Sequence, residues 1–389
     1  ILYRLQFTDL GKGNGNYIQQ GFSPFGKVYK WVKPDTIGGK IIQNGNYEPV
    51  VLLITPKRKQ VLTFENEYKP TDNFTLITDV AFSNEDLNTF STLDNEKNYG
   101  LGTKIEIRHQ KKLSNNKKAA KLTSGGFIDF TSINFNPIEK FRAIEFNRNW
   151  NLGNQEITTP LLLGNLNLGI QKDSLVSVFY NLDVLDLGED FKGIKNKLTT
   201  KLNYKKTHLN YEGSLLNSKS ETNTQFYRHK SVLEYDFGWF VLGYKDELES
   251  NLFSQEDSLL ASSYSFFDGR LYVKNESKKG VFYSVYYGYR NEKLSTDNSL
   301  SQSAYSHEAG LDYGLTSANK TTQLKGNVAY RKLVPTDSVA GLLPENTFLN
   351  QTNFSTSLWK QLIRLNTFYS VGSGLEQKKE FLYVEVNPG

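Results

Sequence analysis

Four histidines, at positions 109, 208, 229 and 307, are the residues of this chain best suited to hold a metal or move a proton at neutral pH. Long intervals separate them, and each lies in a polar stretch that reads as strand or hairpin. Only His307 has a carboxylate beside it, Glu308. Adjacent residues of a strand point to opposite faces, so that pair cannot close on one ion. No metal site is expected, and no cofactor.

The other chemistry-bearing patterns read as turns or solvated loops. Gly11-Lys12-Gly13-Asn14-Gly15 lacks the Lys-Ser/Thr pair of a phosphate loop, and no helix follows it to receive an anion. Its glycines are read as turn residues. Asp94-Asn95-Glu96-Lys97-Asn98-Tyr99-Gly100 spaces oxygen donors like a calcium loop but has no bidentate Glu at the twelfth position. The carboxylates Glu247 and Glu249, and Glu256 with Asp257, fall in stretches without an apolar pocket that could tune them as acid and base. Cysteine is absent, which removes disulfides, thiolate metal sites and thiol nucleophiles together. No catalytic residue stands out, and the chain is expected not to be an enzyme.

One basic run remains. Arg108, Lys111, Lys112, Lys117, Lys118 and Lys121 are expected to crowd one hairpin tip. Solubility and protection of a sheet edge are the plain reading, and docking of an acidic partner or anionic lipid head groups the sharper one.

What must position these residues is a set of strands. Aromatics make up 13% of the 389 residues, and with many Asn, Thr and Ser they favour pleated, half-buried surfaces over helices. In Val281 to Tyr289 the odd positions Val281, Tyr283, Val285, Tyr287 and Tyr289 share one apolar and aromatic face. Thr103, Ile105 and Ile107 oppose Lys104, Glu106 and Arg108 in the same way. Leu198, Leu202 and Tyr204, then Leu209, Tyr211 and Leu215, read as two arms of a hairpin around Lys205-Lys206-Thr207. Further strands are expected at 73–82, 125–134, 141–149, 160–170, 174–182, 231–244, 262–275, 307–316, 322–333, 352–358, 362–371 and 380–386. Loops are expected at 109–121, 217–223, 246–258, 291–303 and 335–347. The fold class is therefore all-β: an extended antiparallel meander of long strands, free to stay open, curl or close into a barrel.

Residues 1–60 carry more Gly and Pro and read as a small irregular β module or connector, 61–380 as the meander. The closing stretch 381–389 looks like the start of a further module, and Ile1 suggests a piece of a longer chain. The 46 basic and 41 acidic residues are interspersed, so nucleic acid is not an expected partner. No run approaches about eighteen apolar residues, which excludes a membrane helix and leaves a membrane barrel open. Trp31, Trp150, Trp239 and Trp359 suit interfacial girdles of such a barrel or the core of a sheet equally well.

The segments Gly15-Asn16-Tyr17, Gly45-Asn46-Tyr47-Glu48-Pro49-Val50, Val28 to Val32, Ser83 to Ser91, Phe141 to Asn151 and Val384 to Gly389 resemble large β-rich envelope proteins of Bacteroidota, the group that includes the plug of the type 9 secretion translocon. The resemblance implies a steric, non-catalytic role, a β-scaffold that occludes or supports an outer-membrane protein-secretion channel. It further implies a periplasmic position at the outer membrane, with a large outer-membrane β-barrel translocon and its envelope subunits as partners. A family member should be much longer than this chain and begin with a signal peptide. Two other roles fit the same strands: a transmembrane outer-membrane barrel of porin or transporter type, and a carbohydrate-binding sheet. Against the barrel stand strands with Lys, Arg or Glu at neighbouring positions, because a Lys or Arg near the bilayer midplane on the lipid face costs about 2–4 kcal/mol.

Overall fold

The computed structural model describes residues 5–23, 26–37, 39–51, 55–93, 95–116, 119–153, 157–256, 258–275, 280–336, 343–359 and 362–374. The chain divides into two compact units, one of residues 1–59 with 85–98, the other of 60–84 with 99–389.

In the first unit, strands β1 (Thr8–Asp9), β2 (Tyr17–Ser23), β3 (Gly26–Trp31) and β6 (Tyr47–Glu48) form a sheet in the order β1-β6-β2-β3, and β4 (Asp35–Ile37) pairs with β5 (Lys40–Ile42). The two Gly-Asn-Tyr motifs meet here. Gly15 and Gly45 bridge each other, and a Cβ on either would lie within 2.6 Å of the other motif's Tyr backbone. Only glycine allows that approach. The Gly11 to Gly15 stretch is a turn, with Gly11 and Gly13 at positive φ.

The second unit is all-β and antiparallel, and it closes. Strands β7 (Arg58–Thr71), β8 (Phe74–Asp86), β9 (Tyr99–Lys112), β10 (Lys121–Thr131), β11 (Leu161–Lys172), β12 (Val176–Asp186), β13 (Lys192–Tyr204), β14 (Thr207–Lys219), β15 (Asn223–Asp236), β16 (Val241–Gln255), β18 (Tyr264–Lys274), β19 (Val281–Thr296), β20 (Ser299–Thr316), β21 (Thr322–Pro335), β22 (Glu345–Leu358) and β23 (Ile363–Ser373) follow one another around a barrel, and β23 meets β7. The two-residue β17 (Ser258–Leu259) is an annex at the end of β16. Each long strand pairs with its chain neighbour, so closure needs no crossover. It also removes both sheet edges.

Register decides what each face carries. On β9 and β10, Ile105 pairs with Ile128 on the face where both are exposed, and Lys104 pairs with Asp129 on the other. On β11 to β13 the rows Leu166, Leu182, Asn196 and Leu168, Tyr180, Leu198 run along one face, and Asn165, Asp183, Lys195 along the opposite one. Val281, Tyr283, Val285 and Tyr287 are exposed together, while Ser284 and Tyr286 between them are buried. The polar face is the inner one: its side chains are the less exposed and converge across non-adjacent strands. Lys274 on β18 reaches Glu234 on β15, and Arg270 on β18 reaches Glu308 on β20 at 3.3 Å. Lys104, Glu106, Arg108, Lys195, Lys197, Glu247, Glu249, Asp268, Arg270, Arg290 and Glu292 all take this inner face. Register thus sorts to one side the charges that sequence spacing alone left ambiguous.

Several boundaries differ from expectation. The stretch 231–244 is two strands, broken at Asp236, whose carboxylate accepts the Gly238 N–H at 2.6 Å, with Gly238 at φ +96°. Residues 246–255 belong to β16: Glu247 and Glu249 point inward to partners and Asp246 outward to His229 and Ser231, where a loop reading put all three in water. The 291–303 loop shrinks to a turn at Asp297-Asn298, both at positive φ. Residues 141–149 form no strand; Phe146–Asn149 is a single helical turn, α1, inside the long connection between β10 and β11. The 380–386 strand and the 381–389 module lie outside the described residues.

Candidate functional site

The connection 132–160 is the longest between neighbouring strands of the barrel, and its described residues lie against the inner face. Its anchors begin on β8 and β9. Asn136 N–H donates to Ser83 Oγ at 3.1 Å, and Gly100 has no side chain because the 134–135 backbone occupies that space: a Cβ there would come within 2.3 Å of the Phe135 Cα. Gly102, two residues on, faces the Phe135 ring. Next, Arg142 reaches Asp129 at 3.4 Å and Thr131 at 3.0 Å on β10, and its guanidinium lies over the rings of Phe141 and Phe146.

Past the helical turn, Trp150 and Leu152 pack into Leu161, Leu185, Leu187, Phe191, Leu216 and Phe226. This is the largest buried apolar cluster among the described residues, and burying a Trp and its neighbours contributes several kcal/mol. Lys195, which reaches Asp183 at 3.4 Å, sits over the Trp150 ring at 4.1 Å. The far anchors are polar. Arg228 donates to Asn149 Oδ1 at 2.9 Å, Asn151 and Asn251 exchange two amide bonds at 2.9 and 3.0 Å, and Arg148 meets Glu249 at 3.4 Å. Glu249 is buried and also accepts the Tyr264 hydroxyl at 2.6 Å. The segment therefore spans the inner side of the wall from β8 to β16. Its own apolar residues Ile138, Phe141 and Ile144 stay exposed, Ile144 fully. A recess of about 970 Å³ separates parts of the segment from the wall at Phe226, Asn251 and Tyr264.

Elsewhere the inner face is paved with opposite charges: Lys104 and Arg108 on Glu106, Lys197 on Glu212, Lys230 on Glu247, and Arg290 on both Asp268 and Glu292. Coulomb attraction along single strands and between neighbouring ones fixes long side chains against the wall and leaves a surface water can wet. The outer face is the reverse. Leu162, Leu166, Leu168, Ile170, Val184, Ile194, Leu198, Leu271, Val285 and Leu311 all stand exposed. Trp239 and Trp359 are exposed too, at turns on one rim, whereas Trp150 fills the inner cluster.

Of the basic residues singled out in the sequence, those described lie on the β9–β10 hairpin but are divided between its two faces. Arg108 is on the inner face, bonded to Glu106 at 2.5 Å; Lys111 is on the outer face, opposite Leu122; Lys112 and Lys121 oppose each other on the inner one. Lys117 and Lys118 lie outside the described residues. Among those described, no group of His, Asp and Glu could hold a metal ion. His307 and Glu308 do face opposite ways. Glu247 and Glu249, read as loop carboxylates, are inner-wall residues, and Asp257 is not described. The segment that organises the interior was missed, because the alternation of Phe141, Ala143 and Glu145 imitates a strand. A usable signal was present: a long stretch between strong strands containing Pro137, Gly153, Pro160 and a lone Trp.

No family model matches this sequence, and no curated protein matches it. Among solved structures, the outer membrane protein opdK from Pseudomonas aeruginosa aligns over 92% of this chain and 96% of its own, at 10% identity and a TM-score of 0.32. A score that low transfers nothing from one chain to the other.

Proposed function

We propose that this chain is a β-barrel channel of a bacterial outer membrane, which passes small polar solutes through an interior narrowed by the 132–160 segment. The observation that carries this reading is the inversion of its two faces. A barrel in water buries apolar side chains inward; this one exposes rows of Leu, Ile and Val outward and turns inward the ion pairs that pave its wall. Only a hydrocarbon surrounding makes that arrangement favourable, since each exposed aliphatic side chain gains about 1.5–3 kcal/mol on leaving water. Closure leaves no open sheet edge among the long strands, the condition for crossing a bilayer as sheet. Long strands of 11 to 18 residues exceed the roughly nine to eleven that a tilted crossing needs. Sixteen long strands enclose an interior wide enough for water. The plug-like role suggested by resemblance draws no support from these observations, and neither does a carbohydrate platform, since the exposed aromatics are spread around the outer wall.

The test is reconstitution. Purified protein should run faster on gels unheated than boiled, resist carbonate extraction from envelopes, and give discrete conductance steps in planar bilayers. Release by carbonate with no change in gel mobility would overturn the reading.

A further inference from the structure

On the inner face of β18 to β21, away from the 132–160 anchors, lies a recess of about 360 Å³ bordered by Asp268, Arg290, Glu292, Ser306, Glu308 and Arg331. Gly288 leaves its floor bare, because the position between Arg270 and Glu308 carries no side chain. Two guanidiniums and three carboxylates line it, and Arg270, bonded to Glu308 beside it, brings the local charge to zero. The pairing is uneven, however. Arg270 is held by Glu308 at 3.3 Å and stacks on Tyr286, and Arg290 is shared between Asp268 at 3.5 Å and Glu292 at 2.6 Å. Arg331, half-buried and directly opposite Glu308 in the ladder, has no carboxylate partner among the described residues. Asp268 and Glu292 each bond through one oxygen and leave the other without a protein donor. The recess thus offers one open cation and two half-open carboxylates side by side.

We infer that this recess binds a zwitterionic solute of amino-acid type, its carboxylate on the Arg331 guanidinium and its ammonium on the free oxygens of Asp268 and Glu292. A net-neutral site gives a simple anion or cation no long-range attraction. A solute with both charges completes both open sets at once, with the fork of Arg331 suited to a planar carboxylate. The volume fits one such solute with a little water. As a step in permeation the site rests on the channel reading; as a binding site it can be tested without it.

L-Alanine is the probe, with acetate and ethylamine as its two half-molecules, on the detergent-solubilised full chain by titration calorimetry and on single channels in planar bilayers. Saturable L-alanine binding is expected, with brief current interruptions at matching concentrations and neither half-molecule effective in the same range. Arg331→Gln should weaken binding about tenfold or more, the loss of one charge-assisted bond pair. Arg331→Lys should fall between the two, and Lys325→Gln, on the same strand and face but outside the recess, should change nothing. Unaltered heat-modifiable mobility confirms that each variant folds. Acetate binding as well as L-alanine, or L-alanine binding unchanged in Arg331→Gln, overturns the proposal. Calorimetric binding without conductance steps upholds the site and overturns the channel reading.

Discussion

Asp246 stands on the outer face of β16, where His229 Nε2 and Ser231 Oγ both bond its carboxylate. The Tyr227 hydroxyl meets His229 Nδ1 at 3.0 Å, and the Tyr211 ring lies beside the imidazole, so the pair is closed off by aromatic side chains. A carboxylate among outward Leu and Tyr is costly unless its partners stay with it. Asp246→Leu alone should therefore destabilise the barrel by about 3–5 kcal/mol, read as a lower gel-shift temperature, whereas Asp246→Leu with His229→Leu and Ser231→Ala should recover most of it. Equal losses in the single and triple variants would show that the network does not act as a unit. Sequence could not find this pair. Its members lie 17 positions apart on neighbouring strands, and only the register of β15 on β16 brings them together. The opposite facing of His307 and Glu308, by contrast, was legible, because it follows from the two-residue period alone.

At the scale of elements, the 132–160 segment is held by the apolar cluster around Trp150 and by close backbone approach at Gly100, and each can be removed separately. Trp150→Ala deletes the centre of the inner cluster, a loss of about 3–5 kcal/mol of packing. Limited proteolysis in detergent should then cut within 132–160 while the heat-modifiable barrel persists; a segment still resistant would mean that the polar anchors suffice. Gly100→Leu places a side chain where the Phe135 backbone lies, so the segment must lift and single-channel conductance should rise. Gly164→Ala, with open space around its position, is the control and should leave conductance unchanged. Turns follow the same logic. Asp297 sits at φ +49°, so Asp297→Val should cost about 1–2 kcal/mol and Asp297→Gly almost nothing, measured by the unfolding midpoint in detergent. Strands such as 281–289 were legible from alternation. The 246–255 half of β16 was not, because its charges look like a loop until the strand across the way supplies their partners.

For the whole molecule, the amount of strand was written in the residues, but closure was not. Alternation looks the same whether the apolar side meets a core or a bilayer, and nothing local in β23 specifies that it returns to β7. Register resolved this by collecting Lys104, Lys195, Asp268 and Arg290 on one side of the wall and Ile105, Leu198, Leu271 and Val285 on the other. That distribution on a closed antiparallel wall is what the proposed channel rests on, a bilayer outside and water within.

The inversion of faces can be read directly, since the chain has no cysteine and single-cysteine variants carry a spin label at one place only. Labels placed one at a time from Phe282 to Gly288 on β19, in lipid vesicles, should alternate strictly. Tyr283, Val285 and Tyr287 should be relaxed by oxygen dissolved in the bilayer, and Phe282, Ser284, Tyr286 and Gly288 by a water-soluble nickel chelate. Nickel relaxation at every position, or oxygen access on the even set, would contradict the account.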